Sequence, residues 1–417
     1  MKKQVILLFF LFSLFIGFGC VGCGPIGGEG IGPIAPAPQD STGQDEPPVN
    51  DPNDPIIWEQ VYTDLGHDGG LISDIVNFNG VSAVCGSLGD IGNQRLMLGT
   101  IVEPGDFLNF QTYGLPGVYK QLENLAVVND IIHAVGWEKF STNSSIKQDG
   151  IAVVANAVSL APQYFPSWFN GLYAQHLHDV VPNVSGDGSV AVGTRYWNDI
   201  EMSGYIVTIS SQGIIVEYEF NAIPGSLSLG SISITGDNYL IAGTNNTNSK
   251  VILFQLDREF NLVSLVREVE VASNRYAEVW GAVNTPGGIV VTGYTRSPGT
   301  TFAERISRSD TDAFAILILD NGNIEVTDGG LSSYKDYFFG VSPGGYCLGA
   351  LSDGKDLLSM VGWWQGREFK YRLLKENVSL WGGVEVNGSL MVVGDHVVPS
   401  EPPQPYAAKI DLEKLRN

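Results

Sequence analysis

Two histidines and an aspartate form the tightest group of reactive side chains in the sequence: His176, His178 and Asp179, in the string HLHD. Alternate side chains of an extended segment share a face, so both imidazoles could reach one ion, the chemistry of a zinc-type site. Only five histidines are present, and spacing identifies no third ligand. The expectation is therefore a chain without metal or other cofactor. The acidic turns DLGHDGG (64–70), SGDGS (185–189) and DNGNI (320–324) offer oxygen donors but lack the spacing of a dedicated calcium loop. Cys85 and Cys347 are the only cysteines after residue 23 and are expected as buried thiols rather than a disulfide. The signatures H-E-x-x-H and G-x-x-x-x-G-K-S/T are absent, which removes the common metalloprotease and phosphate-loop chemistries. Glu304 with Asp310 or Asp312 could do acid–base work only if the fold joined them.

Aromatic rings are the remaining reagents. Trp137, Trp168, Phe169, Tyr173, Tyr196, Trp197, Tyr294 and Phe302 fall in polar, loop-like stretches, where they could stack on sugar rings or grip a peptide. Trp280, Phe339 and Trp381 each precede a glycine (Gly281, Gly340, Gly382) at matching places in the chain. The ligand-binding candidates are Trp137, Trp168, Tyr196, Trp197, Tyr294, Trp280 and Trp381. The competing reading is packing between repeated units, which the equivalence of Trp280, Phe339 and Trp381 favours.

These side chains need a frame, and the sequence repeats one. VSAVCG, IIHAVG, SVAVG, YLIAG, GIVVTG, GYCLG and SLMVVG end at Gly86, Gly136, Gly193, Gly243, Gly293, Gly349 and Gly394, at intervals of 50, 57, 50, 50, 56 and 45 residues. Around each lie further apolar-alternating stretches bounded by Gly, Asn, Asp and Pro, such as GYIVTIS, KVILFQLD and DAFAILILD. Period-two alternation of this kind signals strands, and four strands per unit of about 50 residues is a propeller blade. The predicted fold is all-β, a seven-bladed β-propeller of four-stranded blades over residues 56–417. The sixth copy is compressed, which leaves six or eight blades as alternatives. The last copy, from Trp381 onward, has three stretches, and an unpaired strand at Ile57–Leu65 stands before the first. That N-terminal strand is predicted to complete the last blade and so remove an open sheet edge.

The copy VWGAVNTPGGIVVTGYT…DAFAILILDNGNI, with Gly287, Gly288, Gly293, Tyr294, Thr295, Asp312, Asp320 and Gly322, resembles the bacterial and archaeal β-propeller repeat of secreted proteins and lipoproteins. The resemblance covers one copy well and the other copies weakly. It implies the fold and no common activity. The S-x-D-x-G-x-T-W turn of sialidase-type propellers is absent; SGDGS is the nearest string. In a propeller the first-to-second and third-to-fourth turns lie on one face, and here they are short. The second-to-third and inter-blade links lie on the other face and include long segments such as 137–148, 166–177, 194–203, 294–311 and 395–405. Loops on a rigid scaffold usually carry function, so the working surface is expected on this long-loop face.

Composition bounds the rest. The chain has 417 residues, 51 of them glycine, and 45 acidic against 23 basic residues give a net charge of −22, which argues against nucleic-acid binding. Residues 1–23, MKKQVILLFFLFSLFIGFGCVGC, read as a signal peptide whose apolar run is too short for a typical membrane span. The cysteine after that run resembles a lipoprotein signal, with Cys20 favoured over Cys23 for lipidation; a plain secretory signal is the alternative. Residues 24–55 hold six glycines, eight prolines, six acids and no base, the composition of a disordered tether. The expectation is an extracytoplasmic lipoprotein, anchored to the membrane by an N-terminal lipid, that binds or scaffolds a protein or glycan partner in the cell envelope. A carbohydrate-active hydrolase or lyase with carboxylates at the channel mouth is the alternative.

Overall fold

The structure, a computed structural model, describes residues 53–417 except 66–68, 90–92, 118, 140–147, 165–173, 197–201, 214, 273–274, 298–310, 329–334, 353–356 and 399–400. The expected leader, both candidate lipidation cysteines (Cys20 and Cys23) and nearly all of the tether lie outside the described residues. So do Trp168, Phe169, Tyr173, Trp197, Phe302, Glu304 and Asp310.

Seven four-stranded antiparallel sheets form the blades of a propeller. Their inner strands are Gly70–Phe78, Tyr119–Val128, Ala174–Pro182, Leu227–Thr235, Tyr276–Thr285, Asp336–Val341 and Val378–Val386, for blades 1 to 7 in chain order. Within blades 1 to 6 each strand pairs with the next in sequence. The compressed sixth copy forms its third and fourth strands at Leu357–Gln365 and Glu368–Glu376. Blade 7 closes as expected: Ile56–Val61 pairs antiparallel with Gln404–Asp411 and becomes its outermost strand. The side chains reinforce that closure, with Lys375 Nζ 2.7 Å from Glu59 Oε1 and the Tyr406 hydroxyl 3.2 Å from Glu59 Oε2. The helix Leu412–Arg416, capped by the Asp411 carboxylate, ends the chain.

The second strands read as unbroken apolar runs because both of their faces are buried. In Val81–Leu88, Ala83 and Cys85 pack toward blade 2 while Val84 and Leu88 pack toward blade 7. Among the described residues the buried apolar side chains sort into seven clusters, one at each blade interface. Outer strands such as Leu262–Val269 are exposed along most of their length. Cys85 and Cys347 are buried free thiols. No helix among the described residues is long and apolar enough to cross a membrane.

Candidate functional site at the channel mouth

Each inner strand carries one extra residue at the same place. Pairing with the second strand slips by one at Ser73, Glu123, His178, Gly230, Trp280, Phe339 and Trp381. This is a β-bulge, which bends the strand and re-aims the inserted side chain. The residue before each bulge pairs with a repeat glycine: Ile72 with Gly86, Leu122 with Gly136, Leu177 with Gly193, Leu229 with Gly243, Val279 with Gly293, Phe338 with Gly349 and Leu380 with Gly394. A Cβ on any of these glycines would lie only 1.8–2.3 Å from the carbonyl oxygen of the residue two before the bulge. No side chain fits there. The glycine period of the sequence is thus the imprint of the bulges, and the bulges build the site. All except Gly230 line a channel cavity of about 300 Å³.

The ring they form is polar on one side and aromatic on the other. In blades 5 to 7, Phe339 and Trp381 stack with centroids 4.3 Å apart and planes 8° from parallel, and Trp280 meets both edge-on at 6.0 and 6.1 Å. Blades 5 and 7 are not neighbours, so Trp280 and Trp381 touch across the channel rather than in a gap between blades. Tyr337 stacks on Phe339 at 5.3 Å, and Tyr294 packs against Trp280 and Tyr337. The glycines after the bulges have a packing reason. A Cβ at Gly281 would come 2.7 Å from Val341 Cγ1, at Gly340 2.3 Å from the Trp381 carbonyl oxygen, and at Gly382 2.7 Å from the Asp74 Cα.

On the polar side the residue after the bulge stitches blades together. Asp74 Oδ2 accepts from the Leu125 N–H of blade 2 at 3.0 Å. Asp179 Oδ2 accepts from the Ser231 hydroxyl at 2.7 Å and the Ile232 N–H at 2.9 Å, both in blade 4. The Ser231 hydroxyl oxygen in turn accepts from the Ala282 N–H of blade 5 at 2.9 Å. Burial pushes the Asp74 carboxyl up to about 7 and the Asp179 carboxyl up to about 6, against the pull of these hydrogen bonds.

Glu123, the bulge residue of blade 2, organises the rest. Its Oε1 lies 2.8 Å from His176 Nε2 of blade 3 and accepts from the Trp137 indole N–H at 2.8 Å. His178 Nδ1 stands 3.3 Å from its Oε2, too poorly aligned for a hydrogen bond, so Oε2 has no donor. The two imidazoles stack at 3.9 Å, the shared face expected of alternate strand positions. Burial opposes ionisation of Glu123, but the adjoining His176 and His178 rings outweigh it and hold the carboxyl at about 2. Burial pulls His176 below its usual range. The arrangement is therefore an ionised carboxylate receiving an imidazole N–H.

Of the aromatic candidates, the structure brings Trp137, Trp280, Trp381 and Tyr294 to this mouth, while Tyr196 ends the second strand of blade 3 on the same face. Asp312 forms an ion pair with Arg275 at 3.0 Å. Glu123 escaped the sequence reading because its imidazole partners come from another blade, with His176 53 residues away. A usable signal exists: Ser73, Glu123, Gly230, Trp280 and Trp381 each stand 13 residues before their repeat glycine.

No protein-family model matches the chain, and no characterised protein matches it by sequence. Solved structures do resemble it. Trypanosoma rangeli sialidase in complex with the inhibitor DANA has a TM-score of 0.50 at 12% identity, over 84% of this chain and 56% of the sialidase. A catalytically inactive virginiamycin B lyase from Staphylococcus aureus, with quinupristin, has a TM-score of 0.48 at 12% identity, over 85% and 98%. The β-propeller domain of the Trilobed protease from Pyrococcus furiosus gives 0.46 at 9% identity, over 83% and 96%. Likeness at these identities speaks to the propeller fold alone.

Proposed function

We propose that this protein is an extracytoplasmic lipoprotein whose propeller is a binding module, meeting a partner in the cell envelope through the long-loop face with the channel mouth at its centre. The observation that carries the reading is the bulge ring. One backbone device, repeated in all seven blades, delivers side chains from six of them to the same mouth, blade 4 carrying Gly230 there, and their identities differ from blade to blade. A scaffold repeated for stability alone would have no need of varied residues there. The leader and tether composition supports an anchored body standing clear of the membrane. A protein partner is favoured over a glycan, because no loop sequence has the character of a dedicated sugar pocket.

Photo-crosslinking in the native cell envelope tests this reading. A crosslinking residue at Tyr196 or Tyr337, on the long-loop face, should yield a discrete adduct, and one at Asn387, in a turn on the opposite face, should not. Equal labelling from both faces, or none, would sink it. For the anchor, Cys20→Ala should shift the protein from the detergent phase to the aqueous phase on phase partition, and Cys23→Ala should not.

The enzymatic alternative has one observation in its favour: Glu123, held ionised, shares the cavity with Asp74 and Asp179, whose carboxyls are pushed up. Divergent carboxylates are the pattern of acid–base pairs. Both aspartates, however, are committed to backbone amides of neighbouring blades, which suits stitching better than proton transfer. Glycan turnover lost in Glu123→Gln would reverse the order of the two readings.

A further inference from the structure

We propose that Glu123, His176 and His178 bind one divalent transition-metal ion of the zinc type at the channel mouth. The inference is independent of the binding reading, since it concerns three side chains rather than the partner of the whole face. Spacing alone gave two imidazoles and no third donor, and the fold supplies the third by setting the bulge of blade 2 beside the inner strand of blade 3. One donor atom from each of the three side chains lies within 4.8 Å of the other two. Around an ion with bonds of about 2.0–2.1 Å in tetrahedral geometry, donors stand roughly 3.3 Å apart. The 3.3 Å between His178 Nδ1 and Glu123 Oε2 already meets this spacing, and His176 Nε2, which stands 2.8 Å from the other carboxylate oxygen, Oε1, joins the same ion through a side-chain rotation.

Two further observations point to an ion rather than a closed hydrogen-bond network. Glu123 is almost wholly buried, its side chain 6% exposed, yet its Oε2 receives no hydrogen bond, so it leaves unused the polar capacity that buried groups normally spend. The Trp137 indole N–H, fixed on Glu123 Oε1 at 2.8 Å, is the kind of outer contact that orients a ligating carboxylate. Two imidazoles and one carboxylate suit zinc, cobalt, nickel or iron(II) rather than calcium or magnesium, which prefer all-oxygen shells. With three protein ligands the ion would keep at least one position open. Glu123 and His178 both line the channel cavity, so that position would take water or an oxygen of whatever enters.

The test is titration of the chelator-stripped full chain with Co²⁺. The expected result is one equivalent bound, with visible d–d absorption that Zn²⁺ abolishes. Glu123→Gln and His176→Gln should each weaken binding at least 100-fold, Trp137→Phe about 10-fold, and His396→Gln not at all. The wild-type titration decides the matter even where a variant fails to fold: no d–d bands at one equivalent and micromolar protein overturns the proposal. Binding that survives in folded Glu123→Gln or His176→Gln within threefold of wild type overturns it as well.

Discussion

Blades 2 and 7 make one bond with its partners exchanged. In blade 2 the bulge residue is the carboxylate, Glu123, and the residue after the repeat glycine is the indole, Trp137; in blade 7 the bulge residue is the indole, Trp381, and the residue after the glycine is the carboxylate, Asp395. Both bonds measure 2.8 Å and span 14 residues. The surroundings then drive the carboxylates apart. Glu123 sits between two imidazoles and stays ionised, whereas burial pushes Asp395 up to about 6 against its hydrogen bond from Trp381. Blade 2 thus turns charge toward the channel and hides its ring, and blade 7 turns its ring toward the channel and hides its charge. The scaffold is common to the blades, and what it carries is chosen blade by blade.

The largest expected effect comes from breaking the common part. In Gly136→Ala or Gly394→Ala the new methyl would meet a carbonyl oxygen at 1.9 or 1.8 Å, so the bulge or the pairing must give way. Either variant should lose about 4 kcal/mol or more, or fail to fold, at the high end for point changes. Gly287→Ala, whose nearest neighbour is Thr285 Oγ1 at 3.7 Å, should stay within about 0.5 kcal/mol. Denaturant midpoints separate the two classes, and similar losses at Gly136 and Gly287 would show that the glycines are not there for the bulges.

This glycine also explains why the fold was legible and the site only partly so. Only one residue type fits opposite a bulge, so the constraint writes itself into the sequence seven times, and blade number and closure follow. Trp280, Phe339 and Trp381 could be grouped because each precedes a glycine forced by close backbone approach. Glu123 has no such neighbour. Its role depends on blade 3 standing beside blade 2, and nothing local encodes that. The HLHD pair was visible because its spacing is itself local, and its carboxylate was hidden because it is not. The 13-residue offset from the glycine finds five of the bulge residues but misses His178 and Phe339, where the intervening turn is two residues longer or three shorter.

A smaller effect separates the polar arc from the aromatic one through pH. Asp74 has a folded-state pKa near 7 against about 3.9 in an unfolded chain. Between these values the native state binds the extra proton, so its stability is full below about pH 4 and declines as pH rises, levelling off above about 7. Asp74→Asn keeps an acceptor for the Leu125 N–H and removes that decline. Relative to wild type it should gain on the order of 3 kcal/mol between pH 4 and pH 8, read by urea unfolding at several pH values. Blades 5 to 7 hold glycine at the equivalent place, so they add no such dependence there. A difference that stays constant with pH would mean Asp74 is ionised in the folded protein.

The exchanged pair itself gives the finest comparison. Trp381→Phe keeps the stacking surface against Phe339 and removes one donor from Asp395, a loss of about 1–2 kcal/mol when the carboxylate is charged. The hydrogen bond from Trp381 lowers the Asp395 pKa, and without it that pKa rises further. At pH 5 the group is then protonated with or without the indole, and the cost should shrink; at pH 8, with the carboxylate forced to ionise, it should be largest. Trp137→Phe leaves Glu123 its contact with His176 and should cost about 1 kcal/mol. A Trp381→Phe cost that is flat between pH 5 and pH 8 would show that the blade 7 carboxylate is charged throughout. In that case the two blades would differ only in which partner faces the channel.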